Sequence, residues 1–147
     1  MRKITVLIGL PASGKSTYAK TIDGAIVLSS DEIRKELYGD ESIQGNPKEV
    51  FSTLHTIMED KLHSKDAHIV IDATNMNRFE RSSYVKAATN YNCDELEAII
   101  FKTSVAECVR RNEARDRKVR DFVFDKMIAK YEEPTISEGF DTIRVIY

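Results

Sequence analysis

Cysteine is scarce in this sequence, which contains only Cys93 and Cys108 among 147 residues. Two cysteines are more typical of free thiols in a reducing cytosol than of a disulfide framework, so we expect a cytoplasmic protein. The three histidines, His55, His63 and His68, do not join the cysteines at a spacing that binds zinc. These shortages argue against both a disulfide scaffold and a zinc site.

Long hydrophobic runs and flexible linkers are missing as well. The longest apolar runs, such as Ile4–Leu10 and Ile69–Ile71, are far too short to span a bilayer, so no membrane partner is expected. The basic residues at the start of the sequence are followed by one short apolar stretch and then by Lys15, a pattern that does not fit a secretory signal. Six glycines and three prolines are scattered along the chain, so a single domain over residues 1–147 is predicted.

Neither sign of charge dominates the composition. The 22 basic and 24 acidic residues give a formal net charge of -2, which argues against a protein coated in nucleic acid. That balance still leaves room for one local basic patch. With 41% hydrophobic and 31% charged residues, the composition is that of a folded globular domain rather than a disordered chain.

The sequence does contain a regular alternation of strand and helix patterns. Apolar, mostly β-branched runs predict strands at Ile4–Ile8, Ala25–Leu28, His68–Asp72, Leu96–Phe101 and Thr142–Ile146. Capping residues and helical spacing predict helices at Ser16–Ile22, from the capping run Ser29–Glu32 to about Leu37, at Asn46–His63, at Asn77–Ala88, from Ser104 onward and at Asp121–Tyr131. This alternation predicts an α/β fold, an open parallel sheet with helices on both faces.

A phosphate-binding motif lies between the first predicted strand and the first predicted helix. The segment Gly9–Ser16 fits the pattern G-x-x-x-x-G-K-[ST], in which glycines let backbone N–H groups turn toward phosphate oxygens. Lys15 can reach the β- and γ-phosphates, and the Ser16 hydroxyl can ligate Mg²⁺. We therefore predict that ATP or GTP binds here. The predicted nucleotide-binding residues are Gly9, Pro11, Ala12, Ser13, Gly14, Lys15, Ser16 and Thr17.

The nucleotide motif alone does not name the reaction. The chain contains no N-K-x-D motif and lacks room for GTPase switch regions, and it is short for a motor ATPase. A small kinase is therefore the expected class.

The second predicted strand leads into a carboxylate and an arginine. Asp31 and Arg34 are three residues apart, so they share one face of the helix that begins there. The carboxylate of Asp31 can accept a proton from an attacking hydroxyl, and Arg34 can hold an acceptor phosphate. The alternative is that Asp31 only stabilises the helix start and that Arg34 is a solvated surface charge.

The third predicted strand also ends on a carboxylate, Asp72. Many P-loop proteins have a carboxylate at this position that holds magnesium, usually through water, so Mg²⁺ is expected beside Ser16 and Asp72. Thr74 and Asn75 follow, and we interpret them as turn and cap residues.

A basic run occupies residues 110–120, with six basic and two acidic residues. Such runs are usually solvated surfaces. In a P-loop chain, however, a run between two late helices is where small kinases place a mobile lid. Arg111 and Arg115 are four residues apart, on one face of a predicted helix, and we predict that they close on the transferring phosphoryl from a lid at about 111–120. The roles of Arg117, Lys118 and Arg120 stay open.

From Ile4 to Ile146 the chain resembles the polynucleotide 5′-hydroxyl kinases of the P-loop kinase superfamily. The motifs that carry this resemblance are Gly9–Thr17, Ser30–Arg34, Ile71–Asn77, Val109–Arg115 and the stretch Tyr131–Phe140, which is similar to a late E-x-P-x-x-x-E-G-F motif. The phosphate loop is common to many small kinases. The late stretch most separates these kinases from gluconate- and adenylate-type relatives.

The resemblance implies specific roles for residues in these motifs. It implies that Asp31 is the general base, that Arg34 contacts the acceptor end, and that Arg111 and Arg115 contact ATP phosphates. The chain departs from the family at Ala12, where a glycine is common. It also contains no D-x-D-x-T phosphatase motif, so only the kinase half of end healing is expected.

We expect an ATP- and Mg²⁺-dependent transfer of the γ-phosphoryl group to a 5′-hydroxyl end of DNA or RNA. A kinase acting on a sugar, nucleoside or drug hydroxyl is the first alternative, and a non-catalytic nucleotide-binding switch is the second. The sequence leaves open the choice of DNA or RNA, of single-strand or duplex ends, of donor base, and of oligomeric state.

Overall fold

The computed structural model describes residues 1–40, 45–115 and 118–147. At its centre is a five-stranded sheet in the order β2-β3-β1-β4-β5, in which every neighbouring pair is parallel. The strands are β1 (Lys3–Ile8), β2 (Ile26–Ser29), β3 (His68–Asp72), β4 (Glu95–Phe101) and β5 (Thr142–Ile146). The predicted parallel α/β sheet is confirmed.

Six α-helices connect the strands within the described residues, and most of them begin at the predicted capping residue. The helices are α1 (Lys15–Ala19), α2 (Ser30–Tyr38), α3 (Pro47–Lys61), α4 (Arg78–Asn90), α5 (Val105–Ala114) and α6 (Asp121–Lys130). The side chains of Ser29, Asn46, Asn77 and Ser104 each accept a hydrogen bond from a first-turn backbone N–H. A short 3-10 turn at Ile136–Glu138 was not among the predicted elements.

Helix α1 is shorter than predicted, because it ends at Ala19 rather than at Ile22. The chain then tightens into turns in which the N–H of Thr21 bonds to the carbonyl of Tyr18. The Thr21 hydroxyl donates to the same carbonyl at 2.7 Å. A threonine side chain that bonds to a nearby backbone carbonyl competes with the helical pattern, which accounts for the early end.

The two faces of the sheet bury different sets of side chains, as alternation along a strand requires. On one face, Ile4, Val6 and Ile8 pack in the main core together with residues of α2, α3 and α4. On the other face, Leu7 packs in a smaller cluster with Ala19 of α1. The predicted helices on both faces are therefore confirmed.

All five strands run in the same direction, so their carboxyl ends share one edge of the sheet. Three predicted functional segments follow directly from strands at this edge: Gly9 after β1, Ser30–Arg34 after β2, and Ala73 after β3. In an open parallel sheet, ligands bind in the crevice outside this edge.

Candidate active site

The phosphate loop is a turn held in unusual backbone conformations. Gly14 precedes α1 with φ 103°, and Ala12 has φ 63°, in the left-handed region that favours glycine. A Cβ at Gly9 would lie 2.6 Å from Ser13 Oγ, so only glycine fits there without a shift. The Ala12 departure from the family pattern is therefore accommodated with backbone strain rather than by a different loop.

Lys15 lies almost fully buried inside this loop. Its Nζ donates hydrogen bonds to the carbonyls of Gly9 at 3.0 Å and Leu10 at 2.8 Å. Burial lowers the pKa of Lys15 to about 8, although the negative charges of Asp72 and Asp31 act in the opposite direction. The ammonium is thus held at the centre of the loop, with two carboxylates within electrostatic reach.

Ser16 and Asp72, the two predicted metal-site residues, are in direct contact. Ser16 Oγ donates to Asp72 Oδ2 at 2.7 Å, joining the start of α1 to the end of β3. Burial raises the pKa of Asp72, while the bond from Ser16 and the charge of Lys15 lower it. A hydroxyl and a carboxylate oxygen at one point are the hard ligands that Mg²⁺ prefers, so this pair fits the predicted metal.

Asp31 and Arg34 lie on the first turns of α2, as their spacing predicts. Arg34 Nη1 lies 3.0 Å from Asp31 Oδ1, and the Arg34 side chain is only 12% exposed. Burial has the largest effect on the pKa of Lys15 and of Asp72, and the negative charge of Asp31 adds a smaller effect that acts to raise both. Asp31 is therefore within electrostatic reach of the phosphate loop, and Arg34 is not a fully solvated surface charge.

Arg111 extends from α5 toward the phosphate loop. Its Nη1 lies 3.8 Å from the position that a Cβ at Gly14 would occupy. Its Nε donates to Glu107 Oε1 at 3.0 Å, and Arg110 pairs with the same carboxylate. These two arginines lower the pKa of Glu107 to about 2. The structure thus brings the predicted cation at position 111 beside the glycine that opens α1.

The prediction that Arg111 and Arg115 share one helical face is wrong. Helix α5 ends at Ala114, and Arg115 has an extended backbone with φ -100° and ψ 159°. The side chain of Asn112 bonds to the backbone of Val119, a contact that a helix continued to residue 119 would not allow. The charge of Arg115 still lowers the pKa of Lys15, so the side chain remains within electrostatic reach of the phosphate loop.

The remaining predicted residues have less distinctive surroundings. Pro11 and Ser13 are buried in the phosphate loop, while Thr17 is exposed on α1. Of the three basic residues left open in the lid, Lys118 and Arg120 are exposed, and Arg117 lies outside the described residues, as does Asp116 in the same segment.

Two supports of the phosphate loop were missed by the sequence reasoning. Thr103, just after β4, donates from Oγ1 to the Ser13 carbonyl at 2.8 Å. The N–H of Gly9 donates to the Thr74 carbonyl at 3.1 Å. The sheet order explains both contacts, because β4 and β3 flank β1. Local sequence patterns do not predict that order.

A buried network behind the site was also missed. Asn75 has φ 49°, and its Nδ2 donates to the Leu7 carbonyl at 2.7 Å. Arg81 Nη1 donates to the Asn75 carbonyl at 2.9 Å and its Nε donates to Glu138 at 2.7 Å. Asn75 therefore has the structural role that the sequence favoured, and Glu138 of the late motif belongs to the same network.

Comparison with known proteins identifies the family. The sequence matches the AAA domain family over residues 4–134. The chain belongs to that family. Its five-stranded parallel sheet carries the phosphate loop described above directly after β1.

One curated relative has a similar sequence along nearly the whole chain. It is a bifunctional polynucleotide phosphatase/kinase of Acanthamoeba polyphaga mimivirus, 25% identical over an alignment of 155 positions that covers 99% of this chain. The chain spans about a third of that relative's length, since it covers 33% of it. The resemblance to polynucleotide kinases that the motifs indicate is thus matched by sequence similarity.

Solved structures share the fold. Kti12 from Chaetomium thermophilum, in complex with ADP-AlF3, has a TM-score of 0.77 at 17% identity. The superposition covers 97% of this chain and 88% of Kti12. A chain of the Pnkp1/Rnl/Hen1 complex has a TM-score of 0.62 at 26% identity, with 75% of this chain covering 39% of it. Sugar kinases also share the fold.

None of the helices in the described part of the chain combines the length and the apolar composition of a membrane span.

Proposed function

We propose that this protein transfers the γ-phosphoryl group of ATP to the terminal 5′-hydroxyl of DNA or RNA. One observation carries the proposal. The Asp31 carboxylate is paired with Arg34 at 3.0 Å on the first turns of α2, which begins at the same edge of the sheet as the phosphate loop. A base and an acceptor-binding cation thus stand together beside the donor site.

Phosphoryl transfer requires in-line attack by a hydroxyl whose proton is removed as the bond forms. Asp31 accepts that proton, and Lys15 stabilises negative charge on the β- and γ-phosphates. Ser16 and Asp72 would hold Mg²⁺, which supplies further charge neutralisation when bound. Arg111, whose Nη1 lies beside Gly14, and Arg115 stabilise the charge that develops on the transferred group.

The acceptor is assigned to a nucleic acid end because of Arg34. A guanidinium beside the base binds the phosphate that follows the terminal nucleotide, and a neutral sugar offers no such group. The similarity to polynucleotide phosphatase/kinases supports this choice.

A small-molecule kinase remains the competing function, because sugar kinases share the fold. The pairing of Asp31 with Arg34 at the edge of the sheet that carries the phosphate loop favours an enzyme over a non-catalytic switch, since a regulatory protein has no need of a base there. The free thiols of Cys93 and Cys108 suit a reducing compartment, and we propose the cytoplasm as the site of action.

The direct test offers the protein γ-labelled ATP with several acceptors. The set comprises a 5′-hydroxyl oligodeoxynucleotide, the matching oligoribonucleotide, both in 5′-phosphorylated form, and a panel of nucleosides and sugars. We expect label only in the two 5′-hydroxyl oligonucleotides. Label in a sugar or nucleoside with none in either oligonucleotide would overturn the proposal in favour of the small-molecule kinase.

A further inference from the structure

Asn112 is a polar side chain in the interior, only 2% exposed, at the end of helix α5. Its Nδ2 donates to the Val119 carbonyl at 2.7 Å, and its Oδ1 accepts from the Val119 N–H at 2.8 Å. The amide therefore pairs with both backbone groups of one residue, as a neighbouring strand would. Both of its polar groups are satisfied, which a buried amide requires if it is not to destabilise the fold.

This pairing connects the segment after α5 to the phosphate loop. The Val119 side chain packs with Cys108 and Phe124 in a small buried cluster, and Leu10 of the phosphate loop packs against the same cluster. The Leu10 carbonyl in turn accepts the 2.8 Å hydrogen bond from Lys15. A continuous set of contacts thus runs from Asn112 through Val119 to the loop that holds the lysine.

The two arginines assigned to the donor phosphates flank Asn112 in the chain. Arg111 precedes it, with Nη1 beside Gly14, and Arg115 follows it, within electrostatic reach of Lys15. An apolar side chain of similar size at position 112 would fill the same interior. It would not form hydrogen bonds to the backbone of Val119. The end of helix α5 and the position of Arg115 would then not be fixed by residue 112.

We propose that Asn112 is a positioning residue that holds Arg111 and Arg115 over the donor phosphates. It acts through its bonds to Val119 and touches no substrate. The inference rests on the proposed function in one respect, the roles of Arg111 and Arg115 as phosphate ligands. It does not depend on which hydroxyl accepts the phosphoryl group.

The test is nucleotide binding by titration calorimetry in the absence of any acceptor. ATP carries the phosphates that the arginines contact, whereas AMP lacks the β- and γ-phosphates. We expect Asn112→Ala to weaken ATP binding about tenfold, the loss of one or two charge-assisted bonds, and to change AMP binding less than about twofold. Asn90→Ala, an exposed asparagine at the end of α4, is the matched control and should change neither affinity.

A second comparison separates positioning from general loosening of the fold. When Arg111 and Arg115 are both alanine, adding Asn112→Ala should weaken ATP binding no further, because residues that act through one another are not additive. Asn112→Leu keeps the volume of the side chain and buries no charge, but it loses both bonds to Val119. We expect this variant to remain folded by circular dichroism and to lose ATP affinity selectively.

Three results would overturn the inference: ATP affinity within about twofold of wild type in folded Asn112→Leu, equal losses for ATP and AMP, or a loss that adds in full to that of the arginine pair. If Asn112→Ala does not fold, Asn112→Leu decides alone. Failure of transfer to oligonucleotides would contradict the proposed function and leave this result intact, since the readout here is binding of the donor alone.

Discussion

Arg81 and Glu138 form a bidentate ion pair in the interior, with Nε to Oε1 at 2.7 Å and Nη2 to Oε2 at 3.1 Å. Their side chains are 0% and 3% exposed, although 57 residues separate them in the chain. Arg81 also donates to the Asn75 carbonyl, and the Asn75 side chain donates to the Leu7 carbonyl in β1. Glu138 of the late E-G-F motif therefore supports the end of β1 through Arg81 and Asn75.

Breaking this pair should be costly. Glu138→Ala leaves the Arg81 guanidinium buried without its carboxylate, and we expect it to lower the free energy of unfolding by about 3–5 kcal/mol in urea titrations. Glu133→Ala is the control from the same motif, since its pair with Lys102 is largely exposed and should contribute under about 1 kcal/mol. A loss at Glu138 no larger than at Glu133 would show that the buried pair does not stabilise the fold.

Ala12 should be replaceable by glycine with a gain in stability. Its φ of 63° lies in the left-handed region, which costs an L-residue about 1–2 kcal/mol. Glycine avoids that cost, but part of the gain is offset because glycine loses more conformational entropy than alanine on folding. We expect Ala12→Gly to raise the free energy of unfolding by about 0.5–1 kcal/mol. Ala88→Gly, within α4, should lower it by about 1 kcal/mol. Destabilisation by Ala12→Gly would contradict the strained loop.

Nucleotide affinity should depend on pH through Lys15. Burial lowers its pKa to about 8, so the ammonium carries its charge below that pH and loses it above. Bound phosphates favour the charged form. ATP binding therefore takes up a proton above pH 8, and its affinity should fall about tenfold per pH unit there.

Calorimetric titrations between pH 7 and 9.5 check this dependence on pH. Lys15→Arg keeps its charge throughout this range, and its affinity should stay flat even if it is weaker overall. A wild-type affinity that also stays flat to pH 9.5 would show that Lys15 remains charged and that burial does not lower its pKa to about 8.

Arg34→Ala should discriminate between acceptors. An oligonucleotide presents a phosphate after its terminal nucleoside, and a free nucleoside does not. We therefore expect the fall in kcat/KM to be about 10- to 100-fold larger for the oligonucleotide than for the nucleoside. Lys35→Ala, an exposed neighbour on α2, should affect both acceptors little. Equal losses on the two acceptors would remove Arg34 from the acceptor site.

Local sequence patterns determined most of the element boundaries. Strands β3 and β5 have the predicted limits, because β-branched runs bounded by polar residues specify a strand without help from the rest of the fold. Caps at Asn77 and Ser104 were equally local. The end of α5 was not predictable in this way, since it depends on a tertiary bond from Asn112 to Val119.

The positions of the candidate residues were predictable where a motif names the residue type and not where long-range packing decides. Asp72 ends β3, and Lys15 and Asp31 come after β1 and β2, so the parallel topology alone brings all three to one edge. Arg81 gave no such signal, because arginine is ordinarily exposed and its partner Glu138 lies far along the chain. Thr103 reaches the phosphate loop only because β4 lies beside β1.

The most direct test of the account compares wild type with Asp31→Asn in transfer of labelled phosphate to a 5′-hydroxyl oligonucleotide. The amide keeps the size of the side chain but cannot accept the proton, so turnover should fall about 10²–10⁴-fold while ATP affinity changes little. Glu32→Gln, the exposed neighbour, should retain wild-type turnover. Near-normal turnover in Asp31→Asn would mean that Asp31 only stabilises the start of α2, and the proposed mechanism would be wrong.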